Sequence, residues 1–186
     1  MKIILASASP RRRELLNAVG LDFEVCVSDV EEVVLPAWSA DQAARELARQ
    51  KAEAVAAQHP EDCVIGADTV VVIDGLILEK PVDQADAQRM LRLLSGREHR
   101  VITGVCLICS GHRRVFSQET AVRFYPLSDE EIARYVATGE PMDKAGAYGI
   151  QAYGALLVEG ITGDYFNVVG LPVARVVREL EELADA

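Results

Sequence analysis

The apolar positions fall in short runs separated by polar turns, and their spacing alternates between that of strands and that of helices. Lys2 to Ala6 has the compact apolar character of a short buried strand. Ser9 then offers a cap and Pro10 a first helical position, so a helix is expected to about Val19, with Gly20 just past its end. Phe23 to Val27 reads as a second strand, and Ser28 to Trp38 as an acidic, irregular stretch. Ser39 with Gln42 forms a capping box, after which Ala43, Leu47, Ala48, Val55 and Ala56 recur at roughly helical spacing. Cys63 to Ala67 reads as a strand, followed by a hairpin of Val70 to Ile73 and Leu76 to Leu78 about Asp74-Gly75.

Asp83 starts a further helix through Leu94, closed by Ser95-Gly96. Arg100 to Cys109 and Arg114 to Phe124 are rich in β-branched and aromatic residues around Ser110-Gly111-His112, which predicts a long antiparallel pair. Ser128 with Glu131 is a second capping box, for a helix over Asp129 to Ala137. Asp143 to Gly154 is dense in glycine, alanine and tyrosine and reads as tight turns or a short helix. Ala155 to Ile161 is expected as a strand, Asp164 to Val169 as a loop and short strand, and Pro172 as the start of the terminal helix. Interleaved strands and helices with long antiparallel members predict an α/β fold, a mixed sheet with flanking helices. With 186 residues, half of them apolar, the chain can bury one full core or two closely joined lobes. No repeat or linker divides it, so residues 1–186 read as a single domain.

The formal net charge of −10 argues against a general binder of nucleic-acid polymers, which need a sustained basic surface. It leaves room for a small anionic ligand, because a few Lys and Arg gathered in one cleft create a local positive field. The apolar run after Lys2 is only Ile3-Ile4-Leu5-Ala6, so neither a membrane span nor an export signal is expected, and the cytoplasm is the expected compartment. Cys26, Cys63, Cys106 and Cys109 are then expected as reduced thiols. In a strand, Cys106 and Cys109 face opposite sides, which argues against a metal or redox pair. His59, His99 and His112 are isolated and read as surface or structural residues.

The richest chemistry lies in Leu5-Ala6-Ser7-Ala8-Ser9-Pro10-Arg11-Arg12. A strand leads to a turn bearing serine hydroxyls, and a helix begins with its free N–H groups and positive dipole end facing the same space, an arrangement that holds an anion. Arg11 and Arg12 add forked donors suited to phosphate oxygens, although an ordinary capped helix with solvated arginines has the same sequence. Sugar nucleotidyltransferases open in a similar way, so this segment points to phosphate rather than to a reaction. Asp68, in Gly66-Ala67-Asp68-Thr69, is expected at a strand end, where it could bind a divalent cation, orient a water, or bond its own backbone in a turn. Glu31 and Glu32 could supply a second metal carboxylate. Lys51 and Lys80, with Arg11 and Arg12, would neutralise a triphosphate if they converge, which spacing cannot show.

Taken together, Ser7-Ala8-Ser9-Pro10-Arg11-Arg12, Val30-Glu31-Glu32, Ala48-Arg49-Gln50-Lys51-Ala52, Gly66-Ala67-Asp68-Thr69, Glu79-Lys80-Pro81, Leu94-Ser95-Gly96, Asp143-Lys144-Ala145-Gly146-Ala147-Tyr148-Gly149-Ile150-Gln151 and the stretch from Gly163-Asp164-Tyr165 to Gly170-Leu171-Pro172 resemble the Maf family of nucleotide pyrophosphatases, in family order and over nearly the whole chain. The resemblance implies a two-lobed α/β fold related to the inosine triphosphate pyrophosphatases, with a cleft between the lobes, dependence on Mg²⁺ or Mn²⁺, and often a homodimer. It implies that Asp68 is the catalytic acidic residue. Ser7, Arg12, Glu31, Lys51 and Lys80 become the phosphate and metal surround, with Glu31 and Asp68 as metal carboxylates. Arg11, Thr69 and Gln151 match positions tied to substrate choice.

The segment Lys144 to Gln151 is similar to the branch acting on dTTP and UTP rather than the one acting on 7-methyl-GTP, and an amide such as Gln151 suits a pyrimidine edge because it both donates and accepts. The implied reaction is hydrolysis of the α–β phosphate bond to the monophosphate and pyrophosphate. Two rivals are a nucleotidyltransferase, which would need a second substrate, and a non-catalytic nucleotide-binding regulator, in keeping with the family's association with inhibition of septum formation. The sequence departs from the branch at Ala152, where glycine usually follows the glutamine; a positive φ there would set alanine at odds with the turn.

Overall fold

The computed structural model describes residues 2–184. Its elements are β1 (Ile3–Leu5), α1 (Pro10–Ala18), β2 (Glu24–Val25), α2 (Ala40–Ala56), β3 (Cys63–Ile73), β4 (Leu76–Leu78), α3 (Gln84–Leu94), β5 (Glu98–Cys109), β6 (His112–Phe124), α4 (Asp129–Ala137), β7 (Val158–Thr162), α5 (Tyr165–Val169) and α6 (Val173–Ala184), with short 3₁₀ turns between α4 and β7. The sheet order is β2-β1-β3-β5-β6-β7, with β4 pairing to β3. β1 runs parallel to β2 and β3, whereas β4 is antiparallel to β3 and β7 to β6, so the expected mixed α/β sheet with flanking helices is present. None of the described helices is long and apolar enough to cross a membrane.

The chain divides into two compact units, the described residues of Met1–Asp68, Thr103–Gln118 and Gly170–Ala186 forming one, and Thr69–Ile102 with Glu119–Val169 the other. In the first, Ile4, Ala6, Ala48, Ala52, Val55, Val64 and Cys106 pack together. Small residues on α2 allow this closeness, and a Cβ on Gly66 would overlap the Ala48 carbonyl and lie 2.8 Å from the Ala52 Cβ. In the second unit, Val71, Leu91, Leu94, Phe124, Ile132 and Tyr148 belong to a separate buried cluster. His99 belongs to this unit too, 2% exposed, bonded through Nε2 to the Tyr148 hydroxyl at 2.7 Å and edge-on to Phe124. Burial pulls its pKa down to about 4, so the ring is neutral near pH 7 and structural, as expected for an isolated histidine.

Four expectations change. β3 is continuous over 63–73 rather than a strand followed by a separate hairpin arm, so Asp68 lies within the strand and not at its end. β1 pairs only along Cys63–Ile65 and β4 only along Val71–Ile73, which leaves the stretch around Asp68 between these two partners. Residues 165–169 form the helix α5 instead of a strand. Asp164 Oδ1 accepts from the Phe166 N–H at 2.8 Å, and buried Asn167 donates to Val101 O and Thr120 Oγ1, so side-chain tethers override the apolar run. β7 begins only at Val158, because a 3₁₀ turn occupies Ala152–Leu157. Cys63 and Cys109 are joined as a disulfide, with Cα atoms 4.3 Å apart on β3 and β5, where reduced thiols were expected; Cys26 and Cys106 are free.

Candidate active site

β1 ends at Leu5, the Ala6 N–H still donates to Ile65 O at 2.8 Å, and the chain then leaves the sheet through Ser7 to α1. Ser9 is the N-cap, its hydroxyl accepting from the Arg12 backbone N–H at 3.5 Å, with Pro10 opening the helix. Arg12 is not part of a solvated face, since only 9% of it is exposed. Its Nη1 donates to Ser7 Oγ at 3.0 Å and its Nε to Gly170 O at 2.8 Å, which fixes the guanidinium against the Ser7 turn. Burial lowers its pKa most strongly; the negative charges of Asp68 and Glu32 act in the opposite direction, and Arg11 lowers it further. Arg12 is thus within electrostatic reach of Arg11, Asp68 and Glu32, a convergence that spacing could not show.

Lys51, on α2, completes the cluster. Its ammonium donates to Asp68 Oδ1 at 2.6 Å and lies 3.0 Å from Glu32 Oε1. The Lys51 and Asp68 side chains are 17% and 15% exposed, so this contact is screened less than a surface ion pair. The acidic stretch presents Glu32, rather than Glu31, to Lys51, and both glutamates are exposed. Gln50, missed in the sequence as a functional group, anchors the same stretch. Its side chain accepts from the Val33 N–H and donates to the Val33 carbonyl, both at 2.9 Å, which pins the irregular stretch to α2. The only available signal was the position of Gln50, directly before Lys51.

The remaining candidates lie in the second unit. Thr69 follows Asp68 along β3 and is half-buried, while Lys80 is exposed just past β4. The Gly146 N–H donates to Glu79 O at 3.1 Å, which ties the segment leading to Gln151 to the residue before Lys80. Gly146 has φ +70°, and a Cβ there would meet the Val71 side chain at 2.9 Å. Gln151 is exposed, and Ala152 after it does adopt a left-handed φ of +51°. The turn therefore keeps a conformation suited to glycine at a cost of about 1–2 kcal/mol for alanine.

The Maf-like protein family profile matches residues 2–183. Curated relatives named dTTP/UTP pyrophosphatase include those of Koribacter versatilis, 57% identical over 96% of this chain and 92% of the relative, Symbiobacterium thermophilum, 53% identical over 97% and 93%, and Geobacillus sp., 52% identical over 98% of each. A solved structure, the Staphylococcus aureus Ham1 protein, aligns over 67% of this chain and 72% of that one at 18% identity and a TM-score of 0.47, a likeness too weak to reason from. The family profile and the near-full-length identities agree with the motifs already located around Ser7, Lys51 and Asp68: the chain belongs to the Maf family.

Proposed function

We propose that this protein is a nucleoside triphosphate pyrophosphatase that hydrolyses dTTP and UTP at the α–β phosphoanhydride bond. The observation that carries the reading is the cluster in which Asp68 and Glu32 share the Lys51 ammonium beside buried Arg12. Such a site offers a proton acceptor, carboxylate oxygens and fixed positive charge together, and a simple anion-binding cage has no need of the acidic part.

The oxygen of a water attacks the α-phosphorus, its proton passes to Asp68, and the bond from the α-phosphorus to the bridging oxygen breaks to release pyrophosphate. Lys51 holds Asp68 in place through Oδ1. Ser7, Arg12 and the N–H groups opening α1 bind phosphate oxygens, and Arg12 opposes the charge that grows on the leaving group. Family resemblance assigns Lys80 to the phosphates and Arg11, Thr69 and Gln151 to substrate choice.

A divalent cation fits the donor set. Among the described residues no group of three or more metal-ligating side chains gathers, yet Mg²⁺ is commonly held by one or two carboxylates plus substrate phosphates, which Asp68 with Glu32 or Glu31 can provide. When bound, Mg²⁺ or Mn²⁺ supplies polarisation of the phosphoryl group. The same reading places the enzyme in the cytoplasm, as the homodimer frequent in the family.

The test is release of pyrophosphate and monophosphate from dTTP, UTP, CTP, GTP and 7-methyl-GTP, with Mg²⁺ or Mn²⁺ and no second substrate. Hydrolysis of dTTP and UTP at least about tenfold above the others in kcat/KM is the expected outcome. Preference for 7-methyl-GTP would overturn the substrate assignment, and binding without pyrophosphate from any nucleotide would overturn the hydrolase.

A further inference from the structure

Gln151 sits in a short loop whose two ends meet. A Cβ on Gly154 would overlap the Gly149 carbonyl and lie 2.9 Å from the Tyr135 hydroxyl, so only glycine allows this closure. Three backbone donors flanking Gln151, those of Gly149, Tyr153 and Gly154, are collected by two side chains outside the loop. Glu140 Oε1 accepts from the Gly154 N–H at 3.1 Å and from the Tyr135 hydroxyl at 3.0 Å, and Oε2 accepts from the Tyr153 N–H at 3.2 Å. The Tyr135 oxygen in turn accepts from the Gly149 N–H at 3.2 Å.

These anchors are themselves fixed. Tyr135 stands on α4 and is 4% exposed, and Glu140 is held through its own N–H to Thr138 Oγ1 at 3.2 Å and through its carbonyl by Lys144 Nζ at 2.6 Å. The loop needs such holding, because Ala152 at its tip is left-handed, a conformation that persists only where the surroundings over-determine it. No part of the catalytic cluster uses Glu140 or Tyr135.

We infer that Glu140, together with Tyr135, is a positioning residue for substrate choice: it locks the Gln151 loop in one conformation and so sets the preference for a pyrimidine base over a purine. This rests on the reading of Gln151 as the group that meets the base. Neither Glu140 nor Tyr135 takes part in the chemistry; their effect reaches the nucleotide through the backbone of residues 149–154.

The experiment compares Glu140→Gln, Tyr135→Phe and Gln151→Ala in the full chain, measuring kcat and KM for dTTP and dGTP, with amide hydrogen exchange at Tyr153 and Gly154. Glutamine retains one acceptor oxygen but turns its amide NH₂, a donor, toward one of the loop donors, and phenylalanine keeps the ring while deleting the hydroxyl. In both, the dTTP-to-dGTP ratio of kcat/KM is expected to fall roughly tenfold through KM, with kcat within about twofold, and exchange at Tyr153 and Gly154 to quicken about tenfold in Glu140→Gln. Gln151→Ala should lower the same ratio. If Gln151→Ala lowers it while Glu140→Gln and Tyr135→Phe leave it unchanged, or lower kcat/KM equally for both nucleotides, the positioning role is overturned. If Gln151→Ala leaves the ratio unchanged, the reading of Gln151 fails and takes the inference with it. Should Glu140→Gln not fold, the same ratio in Tyr135→Phe decides.

Discussion

Replacing Asp68 by Asn is expected to lower kcat for dTTP by about 10³-fold or more while changing nucleotide affinity by less than about tenfold, because a positioned proton acceptor is worth some 10²–10⁴ and the side chain is also a candidate metal carboxylate. The fold should survive, since asparagine keeps an oxygen that can still accept from Lys51 Nζ, now 2.6 Å from Oδ1. Steady-state kinetics beside equilibrium binding of a non-hydrolysable dTTP analogue separate the two effects. Equal losses of turnover and affinity would make Asp68 a binding group, and retained turnover would remove it from the mechanism altogether.

Arg12→Ala should act on stability and on binding at once. Gly170 O and Ser7 Oγ both accept from this guanidinium in a buried setting, and each buried group deprived of its donor costs about 1–3 kcal/mol. For a chain of this size that corresponds to a fall in Tm of roughly 5–15 °C, readable by calorimetry. Arg12→Lys keeps the charge but not the fork that spans Ser7 and Gly170, and its KM for dTTP should rise at least about tenfold with a smaller loss of Tm. A lysine variant with unchanged KM would reduce Arg12 to a structural brace of the Ser7 turn.

The features legible in the sequence were those decided within a few residues. Both capping boxes, Ser39 with Gln42 and Ser128 with Glu131, are present with their reciprocal bonds, and Ser9-Pro10 starts α1 where helix-end chemistry places it. What depended on distant partners was not legible. Adjacent glutamates in an aperiodic stretch look alike, and it is Glu32 that meets Lys51, in a stretch that Gln50 clasps to α2 at Val33. Residues 165–169 have an apolar run compatible with a strand, but Thr120 and Asn167 close them into a helix through contacts more than forty positions apart. Cys63 and Cys109 are 46 residues apart in sequence, and only strand pairing brings them together.

Ala152 is the instructive middle case. The departure from glycine was visible in the sequence, and so was its consequence if φ were positive. The structure supplies the sign of φ together with the Glu140 and Tyr135 contacts that hold the loop around it. Local chemistry raised the question there, and tertiary contacts answered it.

The most direct measurement is single-substrate hydrolysis of dTTP in ¹⁸O-labelled water with Mg²⁺, followed by mass spectrometry of both products. Attack at the α-phosphorus predicts label in dTMP and none in pyrophosphate. Label in pyrophosphate, formation of dTDP with inorganic phosphate, or no turnover until a second substrate is added would contradict it.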